Sequence, residues 1–225
     1  RPSKRNALTR EILTELKNVL SVHAAREEVR LVVLEGSGAV FCAGMDLSEM
    51  QETAAASNPE ELWAKDAELY AETMIALLKF PAPTLVVVNG PVLAGGVGLV
   101  LACDLVLGSE TASFSLPEPQ RGIVAAVVTP LLHYRIGTGG ASWMLLSQTP
   151  CSVQQCAAWG LVQQVVPAGE LESAKGALIT AILKGSPGAL AQTKEHLFRV
   201  AGAGLVEEIR GASKLSGAAR KSSEA

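Results

Sequence analysis

The sequence predicts an α/β protein in which short buried strands alternate with helices and a purely helical part follows. Two apolar runs, "VRLVVLEG" and "PTLVVVNG", are short, rich in β-branched residues and stopped by Gly36 and Gly90. This is the pattern of strands covered on both faces in a parallel sheet. Between and around them, apolar residues recur at helical spacing, and after Gly169 no strand signal remains. The 225 residues are 48% hydrophobic and 18% charged, enough to bury a sizeable core.

The elements follow in order. "ALTREILTELKNVL" is predicted helical, with Leu8, Ile12, Leu13, Leu16, Val19 and Leu20 on one face. "VRLVVLEG" is expected to be a fully buried strand, and "SGAVFCAGMDLSEM" a turn-rich link. Asn58-Pro59-Glu60-Glu61 reads as a helix start: a capping Asn, Pro at the first position, acids in the first turn. That helix carries Leu62, Leu69, Met74, Ile75 and Leu78 and stops before Pro81. "PTLVVVNG" is the second buried strand, followed by a glycine cluster and a short helix to about Cys103. "DLVLGS" and "ASFSL" are short strands, and Thr129-Pro130 opens a helix that Gly137 closes. Ser152 and Gln155 form a capping box for a helix ended by Gly160, and "LVQQVVP" is the last strand. Ser186-Pro187 starts a further helix.

Several function classes are disfavoured. The net charge of −3 argues against sequence-independent nucleic-acid binding, which needs a strongly basic surface. Cys42, Cys103, Cys151 and Cys156 form no C-x-x-C and read as buried reduced thiols, which favours a cytoplasmic setting. His23, His133 and His196 lack metal-ligand spacing, and H-E-x-x-H and G-x-S-x-G are missing. Leu85 to Cys103 is uncharged and long enough to span a bilayer. Asn89-Gly90-Pro91 breaks it into strand, turn and helix, so no membrane span is expected.

The stretch "VLAGGVGLVLACD" holds Gly95, Gly96 and Gly98 where a strand turns into a helix. A dinucleotide fingerprint would need another glycine at position 101, which is Leu101, and no G-K-[ST] follows for a P-loop. The remaining physical meaning is general. Glycines let a ligand approach the backbone, and the first amides of the helix point outward unpaired. Such a site holds an anion, permanent or formed during a reaction; close helix–sheet packing also asks for glycine there.

Two further stretches bear on the choice. "FCAGMDL" is another apolar strand end turning at a glycine, and "FSLPEPQRGI" holds Glu118 between Pro117 and Pro119 in apolar surroundings. With "RPSKRNALT" at the start and "RIG" and "WGLVQQVVP" later, these motifs in this order resemble the crotonase, or enoyl-CoA hydratase/isomerase, superfamily over nearly the whole chain. The resemblance implies a spiral of β-β-α turns at 1–168 and a helical trimerisation region at 169–225, giving a homotrimer or hexamer. Both ends of the chain look trimmed beside that family.

The resemblance also implies an acyl-CoA thioester as substrate, with coenzyme A part of it and no separate cofactor or metal. The backbone N–H groups of Met45 and Gly95 would polarise the thioester carbonyl and stabilise an enolate, and Glu118 would carry the proton. Apolar surroundings should raise the Glu118 pKa toward a range useful for that task. Ala43, Asp46 and Leu47 would flank the adenine end of CoA, and Lys4 and Arg5 could meet its phosphates. Ala7, Leu93 and Pro117 complete the expected binding residues.

One departure is visible. Two-carboxylate hydratases of the family carry a second glutamate where this chain has Gly98. A single carboxylate suits double-bond isomerisation, whereas water addition uses two groups or one with a well-held water. Gly98→Glu is therefore expected to favour hydration, unless the larger side chain clashes. "GGVGLVLACD" and "RGIVAAVVTPLLHYRIG" also resemble methylglutaconyl-type hydratases that share the glycine. Hydration and isomerisation both stay open, beside thioester hydrolysis, decarboxylation or non-catalytic CoA binding.

Overall fold

The computed structural model describes residues 1–219. Its centre is a four-stranded, all-parallel sheet: β1 (Val32–Glu35), β2 (Thr84–Val88), β4 (Leu105–Ser109) and β7 (Gln164–Val166), in the order β1-β2-β4-β7. A smaller sheet pairs β3 (Val92–Leu93) parallel to β5 (Ser113–Ser115), with β6 (Cys151–Ser152) antiparallel on the far side. Single bridges Leu8–Met45 and Cys42–Val92 continue this second layer.

Every residue of β2 is buried, because both faces of the main sheet are covered. Val86, Val88 and Val106 pack into the large core with α3 (Pro59–Leu78) and α4 (Gly95–Ala102). Leu85, Val87, Leu107 and Val166 face Leu171, Leu178 and Ile179 of α7 (Leu171–Leu183). The first strand corrects its expectation. β1 is an edge strand and only partly buried, since β2 is its one neighbour in the sheet.

The helix starts follow the sequence. Thr9 accepts from the Ile12 N–H at the start of α1 (Arg10–Ala24). Pro59 opens α3 with Glu60 and Glu61 in its first turn, although the Asn58 side chain bonds Glu61 instead of a backbone amide. Ser152 accepts from the Gln155 N–H to cap α6 (Val153–Ala158). In α1, Leu13 and Leu20 are buried, Leu8 lies outside the helix, and Val19 is exposed, so the buried stripe is narrower than predicted. Gly137, at φ 67° and ψ 178°, closes one helix as expected, and a second begins directly after it, so α5 (Val128–Leu146) is two helices meeting at a kink.

The stretch from Leu85 to Cys103 is strand, turn and helix, and no helix among the described residues is long and apolar enough to cross a membrane. All four cysteines are buried and free. After α7 come α8 (Pro187–Ala201) and α9 (Leu205–Ala219). Leu205, Val206 and Ile209 of α9 enter the large core, and Arg210 pairs with Glu72 of α3 at 2.8 Å.

Candidate active site

Two backbone turns meet at one end of the small sheet. In the first, Gly44 adopts φ 84° and delivers Met45 into a bridge with Leu8. The Leu8 N–H donates to the Gly44 carbonyl and the Asp46 N–H to the Leu8 carbonyl, both at 2.8 Å. This parallel ladder engages the groups on either side of Met45 and directs the Met45 N–H to the opposite edge. Asp46 then caps α2 (Leu47–Ala54), accepting from the Ser48 and Glu49 amides.

In the second turn, Ala94 holds φ 49° and ψ −128°, a conformation rare outside glycine, with its N–H on the Ser115 carbonyl at 2.9 Å. Gly95 opens α4, so its N–H has no carbonyl one turn back to meet. The turns touch: a Cβ at Gly44 would lie 2.7 Å from the Ala94 Cβ and 3.3 Å from the Gly95 nitrogen. Met45 and Gly95 line the same cavity, of about 100 Å³.

Glu118 lines this cavity as well. β5 leads through Pro117 into a single 3-10 turn, Glu118–Arg121, ended by Gly122 at φ 65°. The Ile123 N–H donates to the Glu118 carbonyl at 3.1 Å, which fixes the turn. Oε2 of Glu118 is buried without a hydrogen-bond partner. Burial pushes the carboxyl pKa up, against a hydrogen bond from its own backbone amide and the nearby charge of Arg121. A desolvated carboxyl that shares a cavity with unpaired amides can move a proton beside a polarised carbonyl.

The family model for enoyl-CoA hydratase/isomerase matches residues 1–224. The chain belongs to the enoyl-CoA hydratase/isomerase family. A Thermus thermophilus protein provisionally named an enoyl-CoA hydratase is 36% identical over 214 residues, 93% of this chain and 82% of that one. The 2,3-dehydroadipyl-CoA hydratase of Escherichia coli is 34% identical over 202 residues, 88% of this chain and 75% of its own. The crystal structure of an enoyl-CoA hydratase from Mycobacterium avium subsp. paratuberculosis superposes with a TM-score of 0.88 at 28% identity, covering 100% of this chain and 88% of that one. The crotonase fold, with its C-terminal helical region, is thus the fold of this family member.

Of the residues expected at the hydratase/isomerase site, the structure gathers Ala43, Met45, Leu47, Gly95, Pro117 and Glu118 around the cavity. Lys4, Arg5, Ala7, Asp46 and Leu93 do not line it. Arg5 connects to it through its carbonyl, which accepts from the Ala43 N–H at 3.0 Å. The Asp46 carboxylate holds the start of α2 and an ion pair with Arg1 at 2.7 Å, and the Arg1 hydrogen bond pulls its pKa down.

Sequence reasoning missed Tyr70. Its hydroxyl donates to the Gly95 carbonyl at 2.6 Å, and its ring lies 3.4 Å from where a Gly95 Cβ would stand, an ordinary contact. Burial drives its pKa well up, with Glu118 and Cys42 adding to the effect. Cys42 is itself pushed up to about 11 by burial, and its Sγ accepts from the Gly44 N–H at 3.4 Å. Tyrosine on the inner face of an apolar helix reads as core, so the available signal was its place one turn before Met74 on the buried side of α3.

Proposed function

We propose that this chain hydrates or isomerises an enoyl-CoA thioester, with Glu118 as proton carrier and the Met45 and Gly95 amides as an oxyanion site. The observation that carries this reading is the unpartnered Oε2 of Glu118, buried in the cavity that Met45 and Gly95 also line. A thioester oxygen set against the two amides would hold the negative charge of an enolate, each donor being worth about 3–4 kcal/mol in the transition state. In isomerisation, Glu118 takes the α-proton of a 3-enoyl thioester and returns it at the γ-carbon. In hydration, Glu118 takes a proton from water as its oxygen attacks the β-carbon, then gives a proton to the α-carbon. Ala43 and Leu47, at the cavity, and Asp46, Lys4 and Arg5, beyond its lining, are the candidate contacts for the CoA portion; Ala7, Leu93 and Pro117 complete the binding set.

The test is a panel of 2-enoyl- and 3-enoyl-CoA thioesters read by the ultraviolet absorbance of the conjugated enoyl thioester, which follows isomerisation at constant mass, and by product mass and free thiol, with Glu118→Gln beside the native chain. Turnover in the variant is expected to fall by roughly 10²–10⁴-fold. Unaltered turnover would remove Glu118 from the reaction. Release of free CoA or carbon dioxide as the main product would move the chemistry to hydrolysis or decarboxylation.

A further inference from the structure

Gly98 stands on the first turn of α4 beside Tyr70 of α3. A Cβ built on Gly98 would overlap the Tyr70 hydroxyl and fall 3.0 Å from its Cζ and 3.4 Å from the Met74 Sδ. The room left by the missing side chain is therefore taken by a phenol oxygen. This overturns the expected gain of Gly98→Glu: the larger side chain has no space while Tyr70 is present.

The hydroxyl has one proton, and it goes to the Gly95 carbonyl. Its oxygen keeps acceptor capacity only. Tyr70 and Glu118 line the same cavity, and the raised titration of Tyr70 reflects the Glu118 charge as well as burial. A neutral phenol so far from ionising is no base. It can accept a hydrogen bond and hold its donor in one orientation.

We propose that Tyr70 orients the attacking water in this site, its hydroxyl standing in the space of Gly98's absent side chain and replacing a second carboxylate as hydrogen-bond acceptor. This rests on the reading of Glu118 as the proton carrier. One water hydrogen points to the Tyr70 oxygen and the other to Glu118, which leaves a lone pair for the β-carbon of a 2-enoyl thioester. As the carbon–oxygen bond forms, the C=C electron pair moves toward the thioester oxygen and the second proton passes to Glu118. Glu118 then protonates the α-carbon, so one water is added and nothing is oxidised or reduced. Isomerisation needs no water and depends on Tyr70 only through the Gly95 peptide it fixes.

Tyr70→Phe keeps the ring against Gly95 and deletes the acceptor. Hydration kcat is expected to fall on the order of 10²-fold, at least ten times more than isomerisation, with KM changing little. The exchange variant Tyr70→Ala with Gly98→Glu, in which a carboxylate returns to the vacated space, should hydrate at least about tenfold faster than Tyr70→Ala alone. Equal losses of hydration and isomerisation in Tyr70→Phe, no loss of hydration, or a native chain that isomerises without hydrating would each overturn the role of Tyr70. A native chain whose turnover survives Glu118→Gln would instead overturn the reading beneath it. The exchange pair decides the matter if Tyr70→Phe does not fold.

Discussion

Gly44 presses its bare Cα against Ala94, so closely that a Cβ there would stand 2.7 Å from the Ala94 Cβ and 3.1 Å from the Leu93 carbonyl oxygen. This contact joins the turn that delivers Met45 to the turn that delivers Gly95. The two positive-φ positions, Gly44 at φ 84° and Ala94 at φ 49°, belong to one arrangement, and only at Ala94 is the backbone strained.

Gly44→Ala should therefore act on stability and on geometry together. The positive φ alone penalises a side chain by about 1–2 kcal/mol, and the collision with Ala94 adds to it. Parting the two turns by even ~1 Å should lower turnover by about 10²-fold. Thermal melts followed by circular dichroism, run beside the assay, separate the two effects. A folded Gly44→Ala with native turnover would mean that the turns need not touch.

Glu118 predicts a pH-dependent stability of definite sign. Its folded pKa lies above its ordinary value of 4.5 because burial disfavours the charge. Between the ordinary and the raised value the folded chain holds more protons than the unfolded chain, so stability declines as pH rises through that window. Below it the burial cost vanishes; above it the cost is complete. Glu118→Gln removes the titration, so its melting temperature should gain on the native chain as pH rises from 4.5 through the raised value. The acid limb of native turnover should lie above 4.5 for the same reason. A constant gap in melting temperature across that range would contradict the burial argument.

Local features were legible in the sequence because their causes are local. The fully buried β2, the strand–turn–helix around Gly95 and the prolines flanking Glu118 each carry their signal within about ten residues. β1 read as fully buried because its composition matches that of β2, yet its place at the sheet edge is decided by strand order, which no local window contains. The helical region after Gly169 is expected to serve trimerisation, yet Leu205 and Ile209 of α9 sink into their own chain's core, which no local pattern announces. Gly98 announced a missing carboxylate, but an absent side chain says nothing of what fills its room. Tyr70, 28 residues earlier on another helix, had to be seen in place.

The wall formed by α2 depends on Arg10. Its Nε and one terminal nitrogen donate to the two oxygens of Asp66, at 2.6 and 2.8 Å, while its backbone N–H donates to Glu49 at 2.9 Å and its guanidinium also reaches Thr53. Helices α1, α2 and α3 are tied together at this point, and Asp66, Leu47 and Met50 line the cavity. The paired carboxylate is mostly buried but Arg10 is partly open to solvent, which weakens the pair. Asp66→Ala should destabilise by about 1–2 kcal/mol. It should also raise KM more than it lowers kcat, because α2 is a wall and carries no reacting group. Unchanged stability by urea titration would show that the fork contributes nothing net.

Self-association gives the last prediction. Among the apolar residues of the helical tail, Leu205 and Ile209 are consumed by the core and Phe198 packs edge-on to Tyr134 at 6.4 Å between ring centroids. Leu197 and Val200 of α8 and Leu215 of α9 stay exposed, as does Leu146 at the end of α5. Large apolar side chains left open on the C-terminal helices would lose that exposure if another protein covered them. We expect that protein to be further copies of this chain, with light scattering at micromolar concentration giving the mass of three or six chains. Leu197→Glu with Val200→Glu places charge on two residues that are mostly exposed in their own chain. The folded chain should tolerate the pair within about 0.5 kcal/mol, since such surface changes are usually mild. The assembly should dissociate, because a desolvated carboxylate without a partner is costly in any interface. A native chain that scatters as a monomer would overturn the association. A double variant that keeps its mass would move the interface away from α8.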